Sequence, residues 1–444
     1  MKRIIVTAIV FFAIGAESQA ATRIALKGTI VTPTAPAAAG FVVIEGGAIV
    51  CAGATCDTAG ATVIDTGLDL YAGFVDAHNH IGWNLFPFTR FSRPTFNNRY
   101  NWRFGEKVFK DFQKLKSTLD RKLKCDVTLY TEVMAALGGT TTIVSEDKCH
   151  TGGIRNAENP GLGELKMGGT VGDPLQLRGK TRTKWEAILS NPTPPVTRFV
   201  IHLAEGRDAS SLKEWTKLEA MGPPFVQNRI TSIVHGIPLK AEHFRTLAER
   251  GWQLIWSPSS NMRLYQMTTD VVAAAAAGVN VALAPDWNLG GSPTLLQEIA
   301  YVRRLYADGP VRAHLTPARL LTMATSGAAA AIGLEKHVGT LAAGYRADIV
   351  GLRRASTGDA LETLMRGDPK SVELVMVDGR AMVAAPTLAA LATLPKEKTC
   401  EAVDVCGVPR QVCLATSLAA LVGRVKAQYP QVAPLADCAE RPLR

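Results

Sequence analysis

The chain has 444 residues, 47% of them hydrophobic and 20% charged, with a formal net charge of +10. These proportions exclude a disordered chain and leave room for one large catalytic domain with a smaller companion. The basic residues are scattered, with no basic stripe or reader motif, which argues against nucleic-acid binding and for a basic globular protein.

In chain order, Lys2 and Arg3 precede an apolar run, Ile4 to Ala16, that is short for a bilayer span, and Ser18-Gln19-Ala20 offers small residues at the positions a signal peptidase reads. Residues 1–20 are therefore expected to be a signal peptide, with an N-terminal membrane anchor as the alternative, and the mature protein to be periplasmic or secreted. Residues 21–70 read as strands. Phe41 to Ile44, Gly46-Gly47 and Ala48 to Val50 form a hairpin around a glycine turn. Residues 71–335 alternate strand-like and helix-like segments. Strands are predicted at 140–145, 198–203, 230–235, 254–257 and 279–285, and helices at 240–250 and 294–307. This alternation predicts a parallel sheet with crossover helices, and the span matches a (β/α)8 TIM-like barrel; a doubly wound open sheet is the alternative. Residues 336–385 again read as strands, around Asp348 to Val350 and Val372 to Val377. The two β-rich ends are expected to meet as one small β-sandwich. Residues 386–444 form a cysteine-containing tail with an amphipathic helix at 414–429.

Eight cysteines suit an oxidising compartment. Cys51 with Cys56 would close a small loop, Cys125 with Cys149 would tie a helix to the next strand, and Cys400, Cys406, Cys413 and Cys438 would staple the tail. Spacing alone does not fix the connectivity. No CxxC pair supports a cysteine metal site.

The chemistry concentrates at strand ends. Gly73 to His80 reads GFVDAHNH, an apolar run ending in two histidines one residue apart. Residues i and i+2 of a strand share a face, so both imidazoles would project at the end where barrel active sites sit. Imidazole nitrogens suit zinc, iron(II) and related ions. Three further apolar runs end in His202, His235 and Asp286. Any one of these alone reads as a core histidine or a capping aspartate, whereas the ordered set reads as a site.

This pattern resembles the amidohydrolase superfamily, most closely its cytosine deaminase and chlorohydrolase branch. The resemblance spans about residues 22–384. It rests on GFVDAHNH, Gly138 to Thr142, the HLAE segment 202–205, VHG at 234–236, Ser257 to Asn261, Asp286-Trp287, and the later run from Thr316 to Asp348. It implies a distorted TIM barrel plus a small β-sandwich. It also implies one divalent metal, zinc favoured and iron the alternative, held by His78, His80, His202 and Asp286. Glu205 would shuttle protons, His235 would hydrogen-bond the attacking water or the substrate, and Asp286 would also accept a proton. Binuclear relatives use a carboxylated lysine, but Lys148, Lys166, Lys180 and Lys184 end no apolar strand, so a single metal is favoured. The implied activity is hydrolysis of a C–N bond, with deamination of an N-heterocycle preferred over hydrolysis of an amide or a carbon–halogen bond. A catalytically dead binding protein is the alternative from another class. The partner is a small-molecule substrate, with no nucleic acid and no membrane after signal cleavage; a homo-oligomer is allowed. Trp287 is expected to pack near the site, and Asn261 to contact substrate or simply shape a turn. The segment 81–104, rich in aromatics and arginine, is expected to overhang the site and shape a pocket for a planar or anionic ligand, or to serve as a self-packed lid or subunit contact.

Overall fold

The computed structural model describes residues 23–443 apart from 146–148, 150, 164, 166, 192–195, 357 and 393–398. The expected signal peptide, Lys148 and Lys166 lie outside the described residues. The first strands are β1 (Arg23–Ile30), β2 (Ala38–Glu45), β3 (Ala48–Gly53) and β4 (Thr62–Ala72). The hairpin between β2 and β3 turns at Gly46 and Gly47, with φ of 57° and 80°. Two consecutive left-handed residues match the right-handed twist of the flanking strands, and glycine adopts them without a Cβ penalty.

Eight short strands follow: β5 (Phe74–Asp76), β6 (Thr140–Ile143), β7 (Arg155–Asn156), β8 (Thr170–Val171), β9 (Phe199–Leu203), β10 (Thr231–His235), β11 (Gln253–Trp256) and β12 (Val281–Leu283). They form two sheets, β5-β6-β7 and β8-β9-β10-β11-β12, in which every pair is parallel. Spatial order follows chain order without reversal. This removes the doubly wound alternative, whose order turns back at a switch point. A parallel bridge joins Asn79 to Asp286, and the His80 N–H donates to the Asp286 carbonyl at 2.7 Å. At the other seam the Met167 N–H donates to the Ala157 carbonyl at 3.2 Å. The ends of β5 and β12 therefore lie side by side.

The strand sequences explain this packing. β9 is buried along its whole length, as a strand covered on both faces must be. Val200 joins a cluster with Val75, Val144, Val234, Ile255 and Ala282, whereas Phe199, Ile201 and Leu203 point the other way into the larger core. This period of two places His202 on the Val200 face.

The chain closes with β13 (Ile349–Leu352), β14 (Val372–Val377), β15 (Arg380–Ala384), β16 (Thr399–Val405) and β17 (Val408–Leu414). These pair with the N-terminal strands in one nine-stranded order, β16-β17-β15-β14-β13-β4-β1-β2-β3. Leu374 and Met376 pack on one face with Leu26 and Ile44, and Val375 faces the larger core. The tail is more integrated than its sequence suggested, because β17 pairs with β15 and extends this sheet. The helix expected in the tail is present at Leu418–Gln428. All eight cysteines are paired, as Cys51–Cys56, Cys125–Cys149, Cys400–Cys413 and Cys406–Cys438.

Candidate active site

The site gathers where β5, β9, β10 and β12 end. β5 stops at Asp76, two residues short of the first histidine. The Asp76 carboxylate accepts from the His78 N–H at 3.3 Å and from the Asn79 side chain at 2.7 Å, which turns the backbone out of the ladder. Both imidazoles still converge: His78 Nε2 is 3.0 Å and His80 Nε2 is 3.4 Å from Asp286 Oδ1. The other carboxylate oxygen, Oδ2, accepts from the Ser260 hydroxyl at 2.6 Å. The His202 ring lies 4.6 Å from that of His78 and is stacked 5.4 Å from that of His80. His235 and Asp286 both sit at φ 71°, left-handed for residues other than glycine. Each such residue costs about 1–3 kcal/mol, and the turn swings its side chain off the strand path into the site.

Two overlapping groups share His78. One is His78, His202 and His235; the other is His78, His80 and Asp286; in each, the ligand atoms lie within 4.8 Å of one another. Three of the four expected ligands, His78, His80 and Asp286, share one group, whereas His202 is grouped with His78 and His235. Burial holds His202 well below the usual imidazole range, so its ring is neutral. Burial opposes the charge of Asp286, but His78, then His80 and His235, keep its carboxyl far below the carboxylate range. Imidazole nitrogens beside one ionised carboxylate are a donor set that suits a borderline divalent cation.

Glu205 stands on the opposite side. Residues 97–99 run antiparallel to 205–207 through a bridge from Asn98 to Gly206, and this brings Arg99 Nη2 to 3.2 Å from Glu205 Oε2. The Tyr265 hydroxyl donates to Glu205 Oε1 at 2.6 Å, and His235 Nε2 is 3.6 Å from Oε2. Burial raises the Glu205 pKa, but Arg99, His235 and Tyr265 outweigh it, so the group is held below its ordinary value. Arg99 also faces Glu214 at 3.4 Å and donates to the Gly172 carbonyl. Burial opposes its charge, and the two glutamates overcome that and keep it protonated. Burial pushes His235 down despite Glu205 and Asp286.

These groups open into a cavity of about 270 Å³, lined by His80, His202, Glu205, His235 and Asp286 on its floor and by Trp83, Arg103, Trp102, Phe109 and Trp287 on its walls. The segment 81–104 does overhang the site. Trp83 stacks on Phe109 at 5.0 Å, and Trp287 packs against Trp83 at 5.9 Å and Trp102 at 5.4 Å. Trp287 therefore lines the cavity as well as packing, and its Nε1 donates to Ser260 at 3.2 Å. Asn261 is buried and off the cavity; its Oδ1 lies 2.9 Å from His235 Nδ1, so it orients that ring. Lys180 and Lys184 sit exposed on the helix Gly179–Ser190. Sequence reasoning missed Tyr265, Ser260 and the pairing of Arg99. Their partners are more than 25 residues away, and the signal on offer was the polar Ser257 to Asn261 run and the arginines within an aromatic segment.

Residues 198–382 match the model of the amidohydrolase family. The chain is 33% identical over 160 residues to the 5-methylthioadenosine/S-adenosylhomocysteine deaminase of Desulforudis audaxviator, covering 34% of this chain and 36% of that protein. It is 31% identical over 158 residues to the 8-oxoguanine deaminase of Pseudomonas aeruginosa, covering 34% of each. The chain thus spans about a third of the length of the curated relatives it matches. In fold the likeness runs further. The structure of an atrazine chlorohydrolase from Arthrobacter aurescens complexed with zinc superposes with a TM-score of 0.66 at 17% identity, covering 91% of this chain and 99% of that one. The family match falls on the strands that carry His202, His235 and Asp286, so it is this stretch of the chain that resembles the amidohydrolase family.

Proposed function

We propose that this chain is a metal-dependent amidohydrolase that uses an activated water to break a C–N bond, with deamination of an N-heterocycle as the favoured reaction. The carrying observation is one cavity lined by neutral His202, His80, ionised Asp286 and an ionised Glu205, with His78 buried behind it, 3.0 Å from Asp286 Oδ1. His78, His80, His202 and Asp286 would hold one divalent ion, zinc favoured. When bound, such an ion acts as a Lewis acid and acidifies the water it holds. Asp286 would accept a proton that the attacking water brings. Glu205, ionised at rest, would carry the water's first proton to a ring nitrogen and then relay the second, received from Asp286, to the departing amine as the C–N bond breaks. With His235 Nδ1–H donated to Asn261 Oδ1, the tautomer assigned by that contact, Nε2 of the neutral ring is an acceptor. His235 then orients a water or a substrate N–H, and becomes a donor to developing negative charge only after taking a proton. The aromatic walls suit a planar ligand.

We further propose that the eight parallel strands close as a distorted barrel, that the nine-stranded sheet bends into a small β-sandwich, and that the protein is exported. One buried cluster drawing residues from strands of both parallel sheets supports the first, and four disulfides support the last. The deciding experiment measures metal content and ammonia release across a panel of purines, pyrimidines, triazines and cyclic amides. Stoichiometric zinc with ammonia release from a heterocycle is expected. A pure protein indifferent to chelators would overturn the reading.

A further inference from the structure

We propose that the C-terminal strap, residues 429–443, is a positioning device for the catalytic end of β12, acting through Arg441. The tail carries no part of the family match, which ends at residue 382. Its course is nevertheless fixed at several points. The Cys406–Cys438 disulfide ties it to the turn between β16 and β17. The Ala433 N–H donates to the Leu85 carbonyl at 2.9 Å, and the Tyr130 hydroxyl donates to the Ala433 carbonyl at 2.7 Å. The Tyr301 hydroxyl donates to the Leu443 carbonyl at 3.0 Å.

The strap ends by burying an arginine. The Arg441 side chain, 6% exposed, lies 4.7 Å over the Phe88 ring. It donates to Asn288 Oδ1 at 2.5 Å, to the Gly291 carbonyl at 3.2 Å and to Asp437 Oδ2 at 2.9 Å. Asn288 and Gly291 belong to the turn that immediately follows Asp286 and Trp287. That turn is tight: the Gly291 N–H donates to the Trp287 carbonyl at 2.8 Å, and a Cβ on Gly291 would fall 2.1 Å from the Pro285 carbonyl oxygen.

The same contact continues towards the histidines. The Asn288 N–H donates to Asn84 Oδ1 at 2.7 Å, Asn84 donates to Asn79 Oδ1 at 2.9 Å, and Asn79 lies between His78 and His80. The Asn288 amide also donates to the Phe86 carbonyl at 2.8 Å. Arg441 thus closes a buried chain of polar groups that runs behind both strand ends carrying the paired His78, His80 and Asp286. A planar guanidinium with several fixed donors can satisfy three acceptors at once, which an ammonium on a flexible stem does poorly. Removing it leaves the Asn288 and Gly291 acceptors buried without that donor, and the local turn is the part that loosens.

Arg441→Gln and Arg441→Lys in the full-length chain test this by hydrogen–deuterium exchange and by the rate at which a chelator strips zinc from the zinc-loaded protein. The amides of residues 286–292 are expected to exchange roughly ten-fold faster in Arg441→Gln and less so in Arg441→Lys, with β1 to β4 unchanged. Zinc should leave roughly ten-fold faster. The zinc arm rests on the proposed metal centre: wild-type protein that binds no zinc would refute that centre, while the exchange arm still decides the strap. Unchanged exchange at 286–292, or an equal rise throughout the chain, would overturn the proposal. Should Arg441→Gln fail to fold, the exchange pattern of Arg441→Lys decides on the same criterion.

Discussion

The two sides of the site are built differently. The side of Asp286 is assembled by backbone: a bridge from Asn79 to Asp286, the His80 N–H on the Asp286 carbonyl, and a left-handed turn. The side of Glu205 is assembled by side chains brought from elsewhere, Arg99 and Tyr265 above all. The first arrangement fixes where ligand atoms sit. The second fixes a charge state, and backbone pairing could not do that. Glu298 makes the lesson sharper. It is as deeply buried as Glu205 but faces serines, accepting from the Ser259 N–H at 2.9 Å and from the Ser259 hydroxyl at 2.5 Å. Burial pushes Glu298 up to about 7, against those serine hydrogen bonds. A full positive charge alongside, not burial, separates the two glutamates.

The largest expected effects separate the two sides directly. Asp286→Ala should abolish both metal binding and turnover. Glu205→Gln should keep the metal and lower kcat by about 10³-fold or more, a loss beyond what general acid–base catalysis alone typically supplies at its lower end. Metal analysis beside steady-state kinetics checks both, and full activity in Glu205→Gln would sink the assigned proton shuttle. Next comes Arg99→Met, which strands Glu205 and Glu214 as a buried acidic pair. Denaturant unfolding should show a loss of about 3–5 kcal/mol, and a loss near zero would mean that Arg99 is not what keeps Glu205 charged.

Glu298 gives an effect of up to about 3 kcal/mol that depends on pH. Its proton leaves the unfolded chain near the ordinary 4.5 and the native state only at about 7. Between those values the native state binds more protons, so its contribution to stability falls as pH rises through that window and is flat above it. Glu298→Gln should remove that fall, measured as unfolding free energy at pH 5 against pH 8. The smallest effect is that of Tyr265→Phe. It deletes one hydrogen bond to a buried carboxylate, worth about 1.5–3 kcal/mol, and should lower kcat with KM little changed. If Tyr265→Phe costs as much as Arg99→Met, the hydroxyl rather than the guanidinium sets the Glu205 side.

Much of this was legible in the sequence because it is local. Continuous apolar runs ending in His202, His235 and Asp286 specify buried strands and place polar groups at their ends, and Gly46-Gly47 specifies its own turn. Strands of two residues, such as Arg155–Asn156 and Thr170–Val171, have no period to read. What the sequence by itself determined is which polar groups end the apolar runs. What only the tertiary structure decided is who faces whom: Arg99 with Glu205 across 106 positions, Ser260 with Asp286 across 26, and Arg441 with Asn288 across 153. The reason is physical. Propensity and side-chain alternation act over a few neighbouring residues, whereas the ionisation of a buried group depends on every charge the fold brings within a few ångströms, however distant along the chain.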